Sequence, residues 1–351
     1  MRHRFLAAVS ILAGLIVVVS LARIPVAAQA PADHPNAATG SGTPAAKAKT
    51  TVAPKKWTPS RTAWGEPDLQ GIWSYATITP LERPAGQAGK EVLTDEEVAA
   101  VDKESQADRR DGTPDADLAR AYNAHFYDRG KSIGRTSLIV DPPDGKLPPM
   151  TPEGQKRRAA IAEQARAHPA DSWEDLPLQL RCIVYHGVPP LPSGYNNTYQ
   201  IFQSPGYVAI LDENIHDFRG IPLDGRAHVG QNLRQWNGNS RGHWEDNTLV
   251  VETTNYSPKT NFRFFQVAGE TLRAVERFTR VAADKIDYRF TINDPTTYTR
   301  PWTVALPMTS VPDYVIYEYA CHEGNYGLPH VLKSARADEK AAAEAAKPGS
   351  R

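Results

Sequence analysis

Apolar and polar positions alternate with a period of two through most of the second half of the chain, the spacing of strands that cover one face. Thr198 to Ser204 and Gly206 to Glu213 flank Pro205-Gly206 and read as a hairpin. Gly242 to Glu252 reads as two strands around a turn at Asp246-Asn247. Leu272 to Val281, Ile286 to Ile292, Tyr298 to Met308 and Val315 to Ala320 continue the alternation with β-branched and aromatic residues, separated by turn-forming stretches. Closer to the N-terminus, Pro67 to Ser74 sets Leu69 and Trp73 on one face, and Arg135 to Val140 is a strand stopped by Asp141-Pro142-Pro143-Asp144-Gly145.

Three short helices interrupt this pattern. Thr94 and Glu97 have the capping-box spacing, while Thr113-Pro114 and Thr151-Pro152 put Pro at a first helical position. These segments carry few apolar side chains and belong outside a sheet rather than in a core. There is no βαβ rhythm and no internal repeat. The pattern predicts a mainly β domain: a lipocalin-like antiparallel barrel of about seven to nine strands with short polar helices inserted near the N-terminus. A β-sandwich is the alternative.

Composition narrows the setting. Lys+Arg 40 balance Asp+Glu 40, so no basic excess exists to gather phosphates, and a nucleic-acid partner is not expected. Arg2 and Arg4 precede an apolar run from Phe5 to Leu21, and Ala28-Gln29-Ala30 supplies the small-x-small triplet of a cleavage site. Residues 1–30 therefore read as a signal peptide, with a membrane partner only if that segment stays uncut. Residues 31–56, rich in Ala, Pro, Gly, Thr and Lys, read as a disordered linker. A single β-rich domain is expected over 57–334, with its helical excursion at 94–168, then a flexible tail over 335–351. Two cysteines in an exported chain, Cys182 and Cys321, are expected to form a disulfide, which fits a periplasmic or secreted location.

Several separated strings agree in order: Gly71-Ile72-Trp73-Ser74, Thr79 to Pro84, Tyr195-Asn196-Asn197, His216-Asp217 with Ile221 to Arg226, Gly242 to Glu245 with Thr248 to Val251, and Tyr319 to Tyr326. Together they resemble a family of uncharacterised exported bacterial proteins. The resemblance spans about Arg61 to Arg336; it implies export and carries no reaction, cofactor or catalytic residue.

Three polar clusters are candidates for chemistry. The first, Asn214 to Arg219 with Asp224 to His228, reads as a loop leaving a strand. Here His216 and Asp217 form an acid–base pair, while Arg219, Arg226 and His228 can hold an anionic group. The plain alternative is a turn of solvated charges. In the second, Arg241, His243 and Glu245 share one face of a strand, either solvated surface or a binding network inside a barrel. The third, His322 and Glu323, lies beside Cys321. His216, His228 and His322 are donors of the right type for a metal, yet no H-E-x-x-H or Cys/His spacing exists, and no metal or organic cofactor is predicted. Pro189 to Pro192 reads as a loop brace, and Phe262, Phe264 and Phe265 as core or a barrel gate. The leading expectation is an exported barrel that encloses a small, partly apolar ligand. A cofactor-free hydrolase, lyase or isomerase using His216 and Asp217 is the alternative, and a cell-envelope structural protein a third.

Overall fold

The computed structural model describes residues 57–106, 127–260 and 269–346. Along the chain come β1 (Gly71–Ser74), α1 (Asp95–Gln106), β2 (Ile139–Asp141), α2 (Pro152–Ala167), β3 (Thr198–Ser204), β4 (Tyr207–Asp212), β5 (Phe218–Pro222), β6 (Asn239–Glu245), β7 (Thr248–Thr254), β8 (Arg273–Ala282), β9 (Lys285–Asn293), β10 (Trp302–Ala305), β11 (Met308–Ser310) and α3 (Gly327–Ala345). Nine strands run in the order β5-β4-β3-β1-β11-β9-β8-β7-β6, every pair antiparallel. β10 pairs with β9 and β2 off this path. The two end strands approach each other, so the sheet curls into a nearly closed antiparallel barrel. At the seam a Cβ on Gly242 of β6 would lie 2.8 Å from the Ile221 side chain of β5.

Short turns set the register. Asp246 adopts φ 51° and Gly206 φ 78°, the positive values that tight hairpins need, so β6–β7 and β3–β4 close over two residues each. Strict alternation along β8 and β9 turns Phe278, Tyr288 and Phe290 inward, and Phe278 lies opposite Tyr288 with ring centroids 4.6 Å apart. Trp73, Tyr199, Phe278, Tyr288, Phe290 and Trp302 are each at most 2% exposed. Rings of this size fill the barrel, which leaves a side-chain core rather than a hollow.

The helices lie outside. α1 begins at the expected capping box: Thr94 N–H donates to Glu97 Oε2 (2.8 Å), and Glu97 N–H donates to Thr94 Oγ1 (3.3 Å). α2 is capped by Thr151, whose Oγ1 accepts from Gly154 N (3.0 Å). Residues 335–345, expected as a flexible tail, continue α3, and Arg336 donates to the carbonyls of Asp171 and Ala170.

Two strand expectations change. Tyr298 to Met308 is not one strand, since Leu306-Pro307 separates β10 from β11. Val315 to Ala320 forms no strand: β1 and β9 already occupy both edges of β11, so the segment has no ladder to join, and Tyr317 is 79% exposed. Pro189 to Leu191 are buried, and Tyr256 Oη donates to Val188 O (2.9 Å), as suits a brace. The predicted signal peptide, the linker, the Thr113-Pro114 helix and the Phe262, Phe264 and Phe265 cluster lie outside the described residues.

Candidate site at the barrel mouth

The loop expected from Asn214 to His228 is in part a strand. β5 pairs with β4 so that Arg219 lies opposite Ile210 and points inward, because Phe218 and Gly220 take the outer face. Arg219 spans the interior to Glu276 of β8 in a bidentate pair, Nη1 to Oε2 2.6 Å and Nη2 to Oε1 3.2 Å. Tyr288 Oη donates a third bond to Glu276 at 2.8 Å. Burial alone lowers the guanidinium's affinity for its proton, but Glu276 more than reverses this and leaves its pKa raised. Arg219 is thus committed to a buried cross-barrel ion pair rather than to an anionic ligand.

Between β4 and β5 the chain makes a tight excursion, Glu213 to Asp217. Ile215 adopts φ 59°, ψ 18°, and His216 φ 45°. A β-branched residue in the left-handed region costs about 1–2 kcal/mol and persists only where the surroundings impose it. Polar groups inside this turn are incompletely bonded. Asn214 is 2% exposed, and among the described residues neither its Oδ1 nor its Nδ2 has a hydrogen-bond partner. Glu213, 5% exposed, accepts from the Tyr314 hydroxyl with Oε1, and among the described residues its Oε2 has no partner. Orphan atoms of this kind each cost about 1–3 kcal/mol, so strain and lost hydrogen bonding concentrate in one turn.

The same turn carries displaced titrations. Burial pushes Asp217 up from 3.8 to about 6, against the hydrogen bond it accepts from Asn237 Nδ2 (2.5 Å), and Asp212 adds repulsion. Asp128 is raised as well, by partial burial and by the charge of Glu213. His216 is exposed, and its Nδ1–H donates to Tyr319 O (2.7 Å), which fixes the neutral tautomer with Nε2 free to accept a proton. Beside Asp217 lies a cavity of about 20 Å³ bordered by Tyr199, Ile210, Asp212, Arg219 and Asn237, with Phe218, 66% exposed, at its rim. That space holds one water or the tip of a ligand, not a whole small molecule.

The other predicted residues lie elsewhere. Arg226 is paired with Asp224 on the exposed loop after β5. His228 braces that loop, with Nδ1 3.0 Å from Asn239 Oδ1 and Nε2 3.4 Å from Glu252 Oε1. Arg241, His243 and Glu245 face outward, because Ser240, Gly242 and Trp244 occupy the inner positions of β6. Arg241 bonds to the carbonyls of Ala227 and Ser240, and Glu245 joins His243 (3.2 Å) and Arg277 (2.7 Å) in a surface ion-pair row. His322 and Glu323 are exposed in the turn after Cys321. Cys182 and Cys321 form the disulfide, which ties this turn to the 180s segment, where Asn325 Nδ2 also donates to Leu180 O (2.9 Å).

Residues not singled out by the sequence complete the mouth. His186 Nε2 lies 3.0 Å from Ser193 Oγ, and its Nδ1 lies 2.8 Å from Tyr75 Oη and 3.4 Å from Asp212 Oδ1. The set resembles a Ser-His-Asp triad in composition but not in polarity. Ser193 gives its proton to Tyr195 O (2.7 Å), so Nε2–H of His186 donates to Ser193 and Tyr75 donates to Nδ1. A serine so satisfied is a strut, and it stays buried. Only Glu276 left a legible trace, as a charge at an inward position of an alternating strand. Elsewhere, an open groove of about 650 Å³ borders Ile161, Leu176 and Pro258 and includes none of the predicted site residues.

The chain was also compared with protein-family models, curated proteins and solved structures. Nothing matches.

Proposed function

We propose that this is an exported protein that binds a small polar molecule at the barrel mouth, in the turn between β4 and β5. The observation that carries the reading is Asn214: a side chain 2% exposed whose amide oxygen and nitrogen both lack partners among the described residues, beside a strained Ile215–His216 backbone. The filled interior favours the mouth over an enclosed ligand. Export is supported by the Cys182–Cys321 disulfide and the N-terminal apolar run; among the described residues no helix is long and apolar enough to cross a membrane. Native mass spectrometry of the chain purified from its own cell envelope tests the reading. A co-purifying small molecule lost in Asn214→Leu supports it; a chain that carries the same molecule after that substitution, or none at all, refutes it.

A second reading rests on Asp217. A carboxyl titrating near 6, next to a histidine whose Nε2 is free to accept, is suited to proton transfer in a hydrolysis, lyase or isomerisation step. It expects turnover of the co-purified molecule, lost in both His216→Ala and Asp217→Asn with the fold intact. Binding without turnover leaves the first reading alone.

A further inference from the structure

α2 is tied down at its first turn, where Thr151 Oγ1 donates to Thr296 O (2.7 Å) and Gly154 is buried. Further along, Arg157, Ala160, Ile161, Gln164, Ala165 and His168 recur at spacings of three and four and so share one face of the helix. That face forms one wall of the open groove of about 650 Å³. Leu176-Pro177-Leu178 and, after β7, Pro258 to Thr260 supply the other walls. The groove has the size and the mainly aliphatic lining of a small-molecule site, and it shares no residue with the cavity at the mouth. Its wall at 176–181 is held in place. Ser172 N–H donates to Asp175 Oδ2 (2.8 Å), Ile183 N–H donates to Leu178 O (2.9 Å), and the Cys182–Cys321 disulfide anchors the residue after Arg181.

Most of the charged groups on this groove are already engaged. Arg157 pairs with Glu153 (2.7 Å), His168 with Asp171 (2.6 Å) and Lys259 with Glu174 (3.6 Å), while Asp175 caps its own turn. Arg181 is different: among the described residues no carboxylate pairs with it. Its guanidinium lies over the Trp173 ring, 4.7 Å from the centroid, Nη1 reaches only the Glu174 carbonyl at 3.4 Å, and Nη2 donates to nothing among the described residues. An arginine laid on an indole keeps its edge N–H groups for a planar acceptor, the arrangement a carboxylate fits.

We propose that this groove is a second binding site for a monocarboxylate with a medium-length aliphatic chain, its carboxylate on Arg181 and its chain along Ile161, Leu176 and Pro258. The inference is independent of the reading of the mouth. A neutral aliphatic molecule leaves Arg181 without an anion, and an aliphatic amine brings a further cation beside Arg157, Arg181 and Lys259. A short acid reaches Arg181 but leaves the aliphatic walls in water.

Calorimetric titration of the purified chain with octanoate, butanoate, octanol and octylamine, each below its micelle or solubility limit, tests the assignment. The expected result is saturable octanoate binding at least tenfold tighter than that of any other probe. Arg181→Met, which keeps an aliphatic stem on Trp173, should weaken octanoate at least tenfold and leave octanol unchanged. Ile161→Glu, at an exposed helix position, should weaken octanoate as much, and it carries the test if Arg181→Met does not fold. Asn214→Leu should leave octanoate binding as it is. Octanoate that binds no tighter than octanol or octylamine, that binds equally to the folded groove variants, or that does not bind at all overturns the inference. Binding lost in Asn214→Leu and kept in both groove variants assigns the acid to the mouth and also overturns it. A chain that sediments as a dimer, is dissociated by Ile161→Glu and takes no octanoate has a second copy covering the groove, which overturns it too.

Discussion

Asp217→Asn separates a functional carboxylate from a structural one. In the fold the carboxyl is raised from 3.8 to about 6, chiefly by burial. Between about pH 4 and pH 6 the folded chain then binds more protons at this site than the unfolded chain, so stability falls as pH rises through that window. At about 1.4 kcal/mol per pKa unit, the ionised carboxylate costs the fold about 2–3 kcal/mol at neutral pH. Asparagine removes the charge and keeps an oxygen to accept from Asn237. Urea unfolding at pH 7.5 and at pH 4 measures the effect. Asp217→Asn should be more stable than wild type by about 2–3 kcal/mol at pH 7.5, with the gap closing at pH 4, and should bind ligand less well. Equal stability at pH 7.5, or a gap that persists in acid, refutes the reasoning.

The cross-barrel pair has the opposite sign. Arg219→Met leaves Glu276 buried without its cation and should cost about 3–5 kcal/mol, whereas Arg219→Met/Glu276→Leu/Tyr288→Phe, which strands no polar atom of the trio, should recover most of that in the same urea assay; a single-variant loss below about 1 kcal/mol contradicts the burial argument. Cys182→Ser/Cys321→Ser opens a link across 139 residues and should cost about 2–5 kcal/mol; an unfolding midpoint unaffected by reductant would count against any stabilising role. Gly242→Val drives a side chain against Ile221 and Leu223 at the seam and should cost about 1–3 kcal/mol, read as a lower thermal midpoint. By contrast His243→Ala, on the outer surface, should change stability by less than about 0.5 kcal/mol and leave ligand binding intact; a tenfold loss of binding there would move the site to the β6 face.

Local chemistry was legible along the chain wherever it depends on near neighbours. Alternation and turn residues defined β3 with β4, β6 with β7, and β8 with β9, because side-chain period and turn conformation are properties of a few consecutive residues. The capping box at Thr94 and the pairing of the only two cysteines were readable for similar reasons. Strand closure and the side of the sheet each polar residue occupies were not. Phe218 to Pro222 reads as a charged loop until β4 offers it an edge, and Val315 to Ala320 reads as a strand until both edges of β11 are found occupied. Arg219 looked like an anion clamp because Glu276 lies 57 residues away in sequence. His186, Ser193 and Tyr75 are ordinary residues in isolation. Burial and partner choice, which set a carboxyl's proton affinity and leave Asn214 unbonded, are sums over segments distant along the chain, and only the folded barrel brings those segments together.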